Sequence, residues 1–334
     1  MEFYDASYFK GYGKLNIHEE MLSDEVRMTS YRNAILLNKD KFRDKVVLDV
    51  GCGTGILSMF AAEAGASKVI GVDNADIIDS TRKIVEMNKY SDVITLIKGK
   101  VEEITLPDGI NQVDIIIHEM IGYCLLFESA LNTVLTARNK WLKPHGLVFP
   151  DRCYLYMTAI EDPFHNRLIN QNFWDCVQGY DMSCLKENCN TVAAYVKVVD
   201  SLAVITNASL IKTVDLCRDS IQDLTFEVPY HIQCQRSGFI NGLLTYFDVE
   251  FSKCVRRTRF STAPEEKPTH WRQTVLPFWG TNLPVSKGDD VYGMFDLQTN
   301  RLNPRSLQII VDLKLDVKTP DRNKFWMYKN TFLL

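Results

Sequence analysis

The stretch Val46-Val47-Leu48-Asp49-Val50-Gly51-Cys52-Gly53-Thr54-Gly55 leaves a chain few ways to fold. Its first half is a run of β-branched and apolar residues, which predicts a buried strand. The glycines after it predict a turn where backbone can approach a ligand with no Cβ between. Ile56, Leu57, Phe60, Ala61 and Ala64 then place apolar groups on one face of a helix. Lys68 to Asp73 reads as a second strand ending in a carboxylate. Strand, glycine turn, helix, strand, acid is the layout of a nucleoside-binding βαβ unit. The acid is placed to accept from ribose hydroxyls.

The glycine spacing narrows the ligand class. A dinucleotide turn wants Gly-x-Gly-x-x-Gly, with the third glycine where helix and sheet pack. Here the pattern is Gly-x-Gly-x-Gly, and Ile56 occupies the position of that third glycine. No lysine follows in a P-loop pattern. The turn fits a nucleoside with a compact charged tail, S-adenosylmethionine, better than NAD or FAD. A glycine turn that binds nothing is the plain alternative.

Strands are expected at Val46–Val50, Val69–Asp73, Val93–Lys98, Val113–His118 and Leu147–Phe149, and helices at Gly55–Ala64, Asp76–Tyr90 and Phe127–Leu142. Such alternation predicts a parallel, doubly wound sheet, whose ligands sit beyond the carboxyl ends of the strands. Gly51, Asp73, Val101, Glu102, His118 and Glu119 all fall at those ends. Glu102 either meets an exocyclic amine or is a solvated loop acid. Ahead of the sheet, Tyr4, Tyr8, Phe9 and Tyr12 cluster around Gly11 and Gly13, and His18 to Asn38 reads as a helix. After Phe149-Pro150-Asp151 the texture changes to short β-rich runs, which predict an antiparallel barrel or sandwich. Among them are Tyr154–Ala159, Val192–Val199, Leu224–Val228, His231–Gln235 and Asn241–Phe251. Asp162 to Cys189 interrupts them with Phe164, Leu168, Ile169, Phe173, Trp174, Tyr180, Met182 and Leu185. So many apolar anchors either cover the barrel or meet a second surface.

Composition excludes some classes. No run approaches the ~18 apolar residues of a membrane span. The start has no basic region followed by an apolar run, so no secretory signal is expected. Nine cysteines without C-x-x-C pairs predict reduced thiols inside a cell. The histidines (His18, His118, His145, His165, His231, His270) are scattered, and no metal is expected. A net charge of -4 argues against nucleic acid as the direct ligand and suits a cationic substrate.

Glu119 and Glu128 bracket a loop, Met120 to Phe127, with no other charge in it. Carboxylates in apolar surroundings are costly unless something meets them. They are protonated, or one faces solvent, or they hold a cation between them. A guanidinium suits the last case, because its planar fork of donors matches carboxylates.

The chain resembles the protein arginine N-methyltransferases, the type I class above others. The resemblance is carried by Tyr8-Phe9-Lys10-Gly11-Tyr12, His18-Glu19-Glu20-Met21-Leu22, Asp24-Glu25-Val26-Arg27, Gly51-Cys52-Gly53-Thr54-Gly55, Asp73, Glu119 to Glu128, and Thr269-His270-Trp271. It implies an α/β plus β architecture: a helical cap over the cofactor site at 1–41, a doubly wound Rossmann-like domain at 42–150, and a β-barrel substrate domain at 151–334 with a helical dimerisation arm at 162–189. It implies S-adenosylmethionine as methyl donor and S-adenosylhomocysteine as product. The catalytic residues implied are Glu119, Glu128, His270 and Asp24, with His270 paired to Asp24. The cofactor residues implied are Tyr8, Phe9, His18, Met21, Arg27, Asp49, Gly51, Gly53, Asp73, Val101 and Glu102. Tyr12, Tyr123 and Trp271 would line the acceptor slot. Substrates implied are arginine–glycine-rich RNA-binding proteins or histones, with mono- and asymmetric dimethylarginine as products. The partners implied are a second copy or a related subunit, with no nucleic acid and no membrane, in the cytoplasm or nucleus. The chain departs from the family pattern at His118, Met120 and Ile121 around the first glutamate, at Asp73, and at Ala130. Two other readings stand beside this one: a weakly active or inactive subunit that scaffolds a mixed oligomer, and a small-molecule methyltransferase.

Overall fold

The structure is a computed structural model that describes residues 2–162, 174–185, 193–278, 282–316 and 326–334. Five strands organise its first half: β1 (Val46–Val50), β2 (Lys68–Asp73), β3 (Ile94–Lys98), β4 (Val113–His118) and β5 (Leu142–Phe149). They are parallel throughout and lie in the order β3-β2-β1-β4-β5. Val47, Leu48, Val50 and Ile115 to Ile117 are buried, as expected of strands covered on both faces. The order reverses between β1 and β4, which makes that gap the crevice of the sheet. Register does the rest. Val50 pairs with Val72 on one side and His118 on the other. Gly51, Asp73 and Glu119 therefore leave the sheet as neighbours.

Helices α1 (Glu2–Tyr12), α2 (Leu15–Ser23), α3 (Glu25–Leu36) and α4 (Lys39–Phe42) precede the sheet, and α5 (Ile56–Glu63), α6 (Ile77–Met87) and α7 (Ala130–Trp141) flank it. The single helix expected over His18–Asn38 is two helices broken at Asp24. That residue is extended, with φ -72° and ψ 97°, and its side chain accepts from Arg27 N at 3.0 Å. An aspartate in this role satisfies a donor that the first helical turn leaves free. The aromatic cluster around Gly11 lies on a helix, α1.

The second half is antiparallel. One sheet runs β7 (Tyr195–Lys197), β13 (Gln273–Pro277), β11 (Gly242–Phe251), β6 (Arg152–Ile160), β8 (Ser209–Asp215), with β12 (Thr258–Ser261) on β11. A second runs β17 (Trp326–Leu333), β16 (Leu307–Asp316), β15 (Asp290–Thr299), β9 (Phe226–Gln233), and β10 (Gly238–Ile240) pairs with β14 (Leu283–Val285). The runs expected as Leu224–Val228 and His231–Gln235 form one strand, β9, through Pro229. β9 is the edge of its sheet, and there a residue without an N–H costs no ladder bond. Of the arm, Phe164, Leu168, Ile169, Phe173 and Cys189 lie outside the described residues. Residues 174–185 contain a turn in which Val177 and Tyr180 exchange backbone bonds of 2.9 and 3.0 Å.

One apolar core runs through both halves. Tyr31 of α3 sits edge-on to Phe251 of β11 at 5.1 Å, and Phe251 lies 6.2 Å from Phe149 of β5. This packing fixes the barrel against the open end of the sheet.

Candidate active site

A cavity of about 590 Å³ opens where β1, β2 and β4 end, with α1 and α2 over it and the barrel beside it. Its floor is the glycine turn. Gly51 and Gly53 have φ of +70° and +51°, and a Cβ on Gly51 would lie 2.5 Å from Met120 Sδ. Asp73 stands next to the turn. Its Oδ2 accepts from Gly53 N at 2.9 Å and its Oδ1 from Ala75 N at 2.8 Å. Each oxygen keeps a lone pair for a further donor. Burial raises the Asp73 pKa above the usual carboxylate value. Val101 is buried beside it, and the exposed Glu102 accepts from Thr133 Oγ1 at 2.8 Å. Tyr8, Phe9 and Met21 also line the cavity. His18 packs over Gly53 and donates from Nε2 to Tyr12 O at 2.8 Å, which pins α1 to α2.

The loop after β4 brings the acids together. Gly122 and Leu125 bridge as a tight hairpin, with Cys124 and Leu125 at φ 48° and 67°. Trp271 Nε1 donates to Ile121 O at 2.7 Å and holds the loop from the barrel side. His118 braces its start, donating from Nε2 to Pro150 O at 3.1 Å and accepting from Met120 N. Burial lowers the His118 pKa to about 4, so the ring is neutral. Glu119 takes both Arg27 Nε (3.0 Å) and Arg27 Nη2 (2.7 Å) on one oxygen, Oε2. Its Oε1 is left for the cavity. Glu128 Oε2 accepts from Tyr12 Oη at 2.8 Å. Burial raises the Glu128 carboxyl, and the charge of Glu119 adds to the effect, against the pull of Tyr12 and Arg305. Tyr123 is half-buried and stacks on Phe127 at 6.1 Å.

His270 reaches the same cavity from the barrel. Its Nδ1 and backbone N meet Asp24 Oδ2 at 2.7 and 2.9 Å. Burial pushes Asp24 up, but hydrogen bonds from His270 and Arg27 outweigh it and hold the carboxyl below its usual range.

The comparisons agree with this geometry. Residues 151–318 match the family model described as arginine methyltransferase oligomerization subdomain, and 47–146 match a methyltransferase domain. Protein arginine N-methyltransferase 1 of Caenorhabditis elegans is 45% identical over 328 residues, 98% of this chain and 92% of its own. The chain belongs to the protein arginine N-methyltransferase family. Protein arginine N-methyltransferase 8-B of Danio rerio is 47% identical, over 92% of this chain and 72% of its own. In structure, the Trypanosoma brucei PRMT1 enzyme–prozyme heterotetrameric complex with AdoHcy matches with a TM-score of 0.88 at 40% identity, over 97% of this chain and 99% of that one. Protein arginine methyltransferase 10 of Arabidopsis thaliana, in a uniquely open conformation, also gives 0.88, at 29% identity over 98% and 99%.

Within this arginine methyltransferase, the residues singled out from sequence reach the cavity wall with two exceptions. Asp24 lies behind His270. Asp49 lies beneath the glycine turn, fully buried, with Oδ2 accepting from Ser58 Oγ at 2.6 Å and Oδ1 unpartnered. Burial raises its pKa to about 7. Its folded pKa is thus above the unfolded one, so folded stability falls as pH rises from about 4 through about 7. Asp49→Asn removes that titration. The stability of the variant relative to the original chain is expected to rise over this window and level off above it. Urea midpoints at pH 5 and pH 8 check the sign.

Sequence reading missed Arg305, Asp5 and Lys100. Arg305 follows Asn303-Pro304 in a turn and reads as a solvated charge; its partners lie 177 and 300 residues away.

Proposed function

We propose that this chain transfers a methyl group from S-adenosylmethionine to a guanidino nitrogen of peptidyl arginine. The observation that carries the reading is the convergence of Glu119 and Glu128 on one cavity above the glycine turn. The cradle suits the cofactor: a Cβ at Gly51 would fill it, and Asp73 offers spare acceptors for ribose hydroxyls. Tyr8, Phe9, His18 and Met21 would enclose it, Arg27 would meet its carboxylate, and Val101 and Glu102 its adenine. When bound, S-adenosylmethionine supplies an electrophilic methyl on a sulfonium cation.

The rest is done by side chains. Two unit charges 4 Å apart repel by about 4 kcal/mol at an effective dielectric of 20. Glu119 and Glu128 offset that repulsion for an incoming guanidinium. Arg27 cancels one of these charges, so the trio is left with net negative charge ready for a cation. Tyr12 fixes the Glu128 rotamer, and Glu119 Oε1 remains to accept from the guanidinium. Acceleration comes from positioning and preorganised charge. His270, held by Asp24, is the group through which the surplus proton leaves.

Arginine–glycine-rich tails of RNA-binding proteins and histone tails are the substrates this site suits, with mono- and then asymmetric dimethylarginine as products. The protein acts in the cytoplasm, the nucleus or both, where its free cysteines, including exposed Cys176, Cys184 and Cys217, stay reduced. The test is incubation with labelled methyl donor and an arginine–glycine-rich peptide, followed by mass spectrometry that separates mono-, symmetric and asymmetric forms. Absence of any methylated arginine would falsify the reading.

The assembly is a dimer of two copies, or of this chain with a related subunit, made through the arm. Tyr180 is 72% exposed and Leu185 37%, a costly display for an isolated arm. Tyr180→Glu is expected to weaken association at least ~10-fold, about 1.4 kcal/mol. Sedimentation velocity across a concentration series measures it, and unchanged association excludes the arm as the interface.

A further inference from the structure

We infer that Arg305 is a positioning residue that couples the seating of α1 over the cavity to the placement of Glu128. The role presupposes the methyl-transfer reading of the same site and adds a residue of the barrel to it.

Arg305 lies in the connection between β15 and β16. Asn300 and Asn303 shape that turn by accepting from Leu302 N at 2.8 Å and Arg305 N at 3.1 Å. Its backbone and side chain grip the same glutamate. Glu128 N donates to Arg305 O at 2.9 Å, and Arg305 Nη1 donates back to Glu128 O at 2.9 Å. Ser129 Oγ adds a bond to Pro304 O at 2.6 Å. The grip has work to do, because Glu128 and Ser129 sit at φ 71° and 54°. Left-handed backbone without glycine is strained, because the Cβ crowds the following carbonyl.

The other side of the guanidinium faces α1. Nε and Nη2 donate to Asp5 Oδ1 at 3.1 and 2.9 Å, and the guanidinium carbon lies 4.2 Å from the Tyr8 ring centroid. Asp5 Oδ2 takes Lys100 Nζ at 2.9 Å, which ties the same carboxylate to the sheet domain. About two turns further along α1, Tyr12 bonds the Glu128 carboxylate. The contacts close a ring: α1 to Glu128 through Tyr12, Glu128 to Arg305, and Arg305 back to α1 through Asp5. Displacing α1 removes Tyr12 from the carboxylate and Asp5 from the arginine together.

The ring is electrostatic as well. Glu128 is faced by Tyr8 and Tyr12 from α1, Glu119 after β4, Tyr123 in the hairpin loop and Arg305 from the barrel. The phenols are neutral and Glu119 is negative, so Arg305 is the cation that favours an ionised Glu128.

The experiment compares Arg305→Gln, Arg305→Lys and Asp5→Asn in the full chain. Arg305→Gln is expected to lower kcat ~30-fold or more with KM for the methyl donor changed less than ~3-fold. Its acidic limb of kcat against pH moves upward. Arg305→Lys keeps the charge without the fork, so it restores the limb but not the rate. Hydrogen–deuterium exchange of the ligand-free protein reads the coupling without turnover. Amides of α1 and of 128–129 should exchange faster together in Arg305→Gln, and in Asp5→Asn, which loosens the same link from the α1 side while keeping the side chain's shape, with circular dichroism as the folding control for both. Unchanged exchange at α1 in both variants, or an unmoved limb in Arg305→Gln, overturns the coupling. A chain that methylates nothing but shows coupled exchange refutes the reaction and keeps the ring.

Discussion

Glu128→Gln is expected to lower kcat by about three orders of magnitude without unfolding the protein. The substitution keeps shape. Tyr12 Oη can still donate to the amide oxygen, and the backbone bonds of Glu128 to Arg305 are untouched. It removes one negative charge from a cavity where two cations must approach. The repulsion then left uncompensated is about 4 kcal/mol, or ~10³ in rate. The pH profile gives an independent reading. Burial raises the Glu128 carboxyl above its usual range, so the original chain loses rate on acidification sooner than an ordinary carboxylate would dictate. In the variant that limb has no group to titrate and disappears. Single-turnover methyl transfer measures both, with circular dichroism as the folding control. A rate within ~3-fold of the original chain would remove Glu128 from the chemistry.

Arg27→Ala is expected to destabilise the fold by about 3–5 kcal/mol. Arg27 and Glu119 expose only 7% of their side chains each, so deleting one partner strands the other in a poor medium for charge. Arg27 also donates to Met21 O at 3.1 Å, which ties α3 to the end of α2. The cap made by its backbone N on Asp24 survives the change. Adding Glu119→Gln removes the stranded charge. The double variant should recover most of the stability and none of the activity. Urea denaturation of the two variants measures the coupling. A single variant as stable as the original chain would mean that Glu119 is solvated in the absence of its partner.

The sheet was legible because its code is local. Valine and isoleucine runs, glycines at a turn and an acid closing the next strand each report on their own few residues. The acid pair was legible for a related reason, as two charges in an apolar loop. Other features were written across distance. Asp24-Glu25 carries a capping signal, but the apolar pattern runs through it, and the break between α2 and α3 was read as one helix. β8 and β17 alternate weakly at sheet edges, with Leu210 and Met327 exposed, so hydrophobic runs did not mark them. The bond from Tyr12 to Glu128 spans 116 positions and that from Arg305 to Asp5 spans 300. No window of sequence contains either pair. Asp49 shows the opposite failure: it sits in the middle of the strongest motif and still serves the strand and helix beneath the cavity.

The bond between Asp5 and Arg305 has a bearing on how the protein is made. The parallel sheet is complete once residue 149 has left the ribosome, and the glycine turn can form then. The second glutamate cannot be braced until the hairpin carrying Arg305 has emerged and doubled back to the first helix. Pairings of such sequence separation close late and slowly. A nascent chain that has not yet reached that hairpin therefore carries the nucleoside floor without a fixed acceptor site, and it cannot modify anything around it until the hairpin is made.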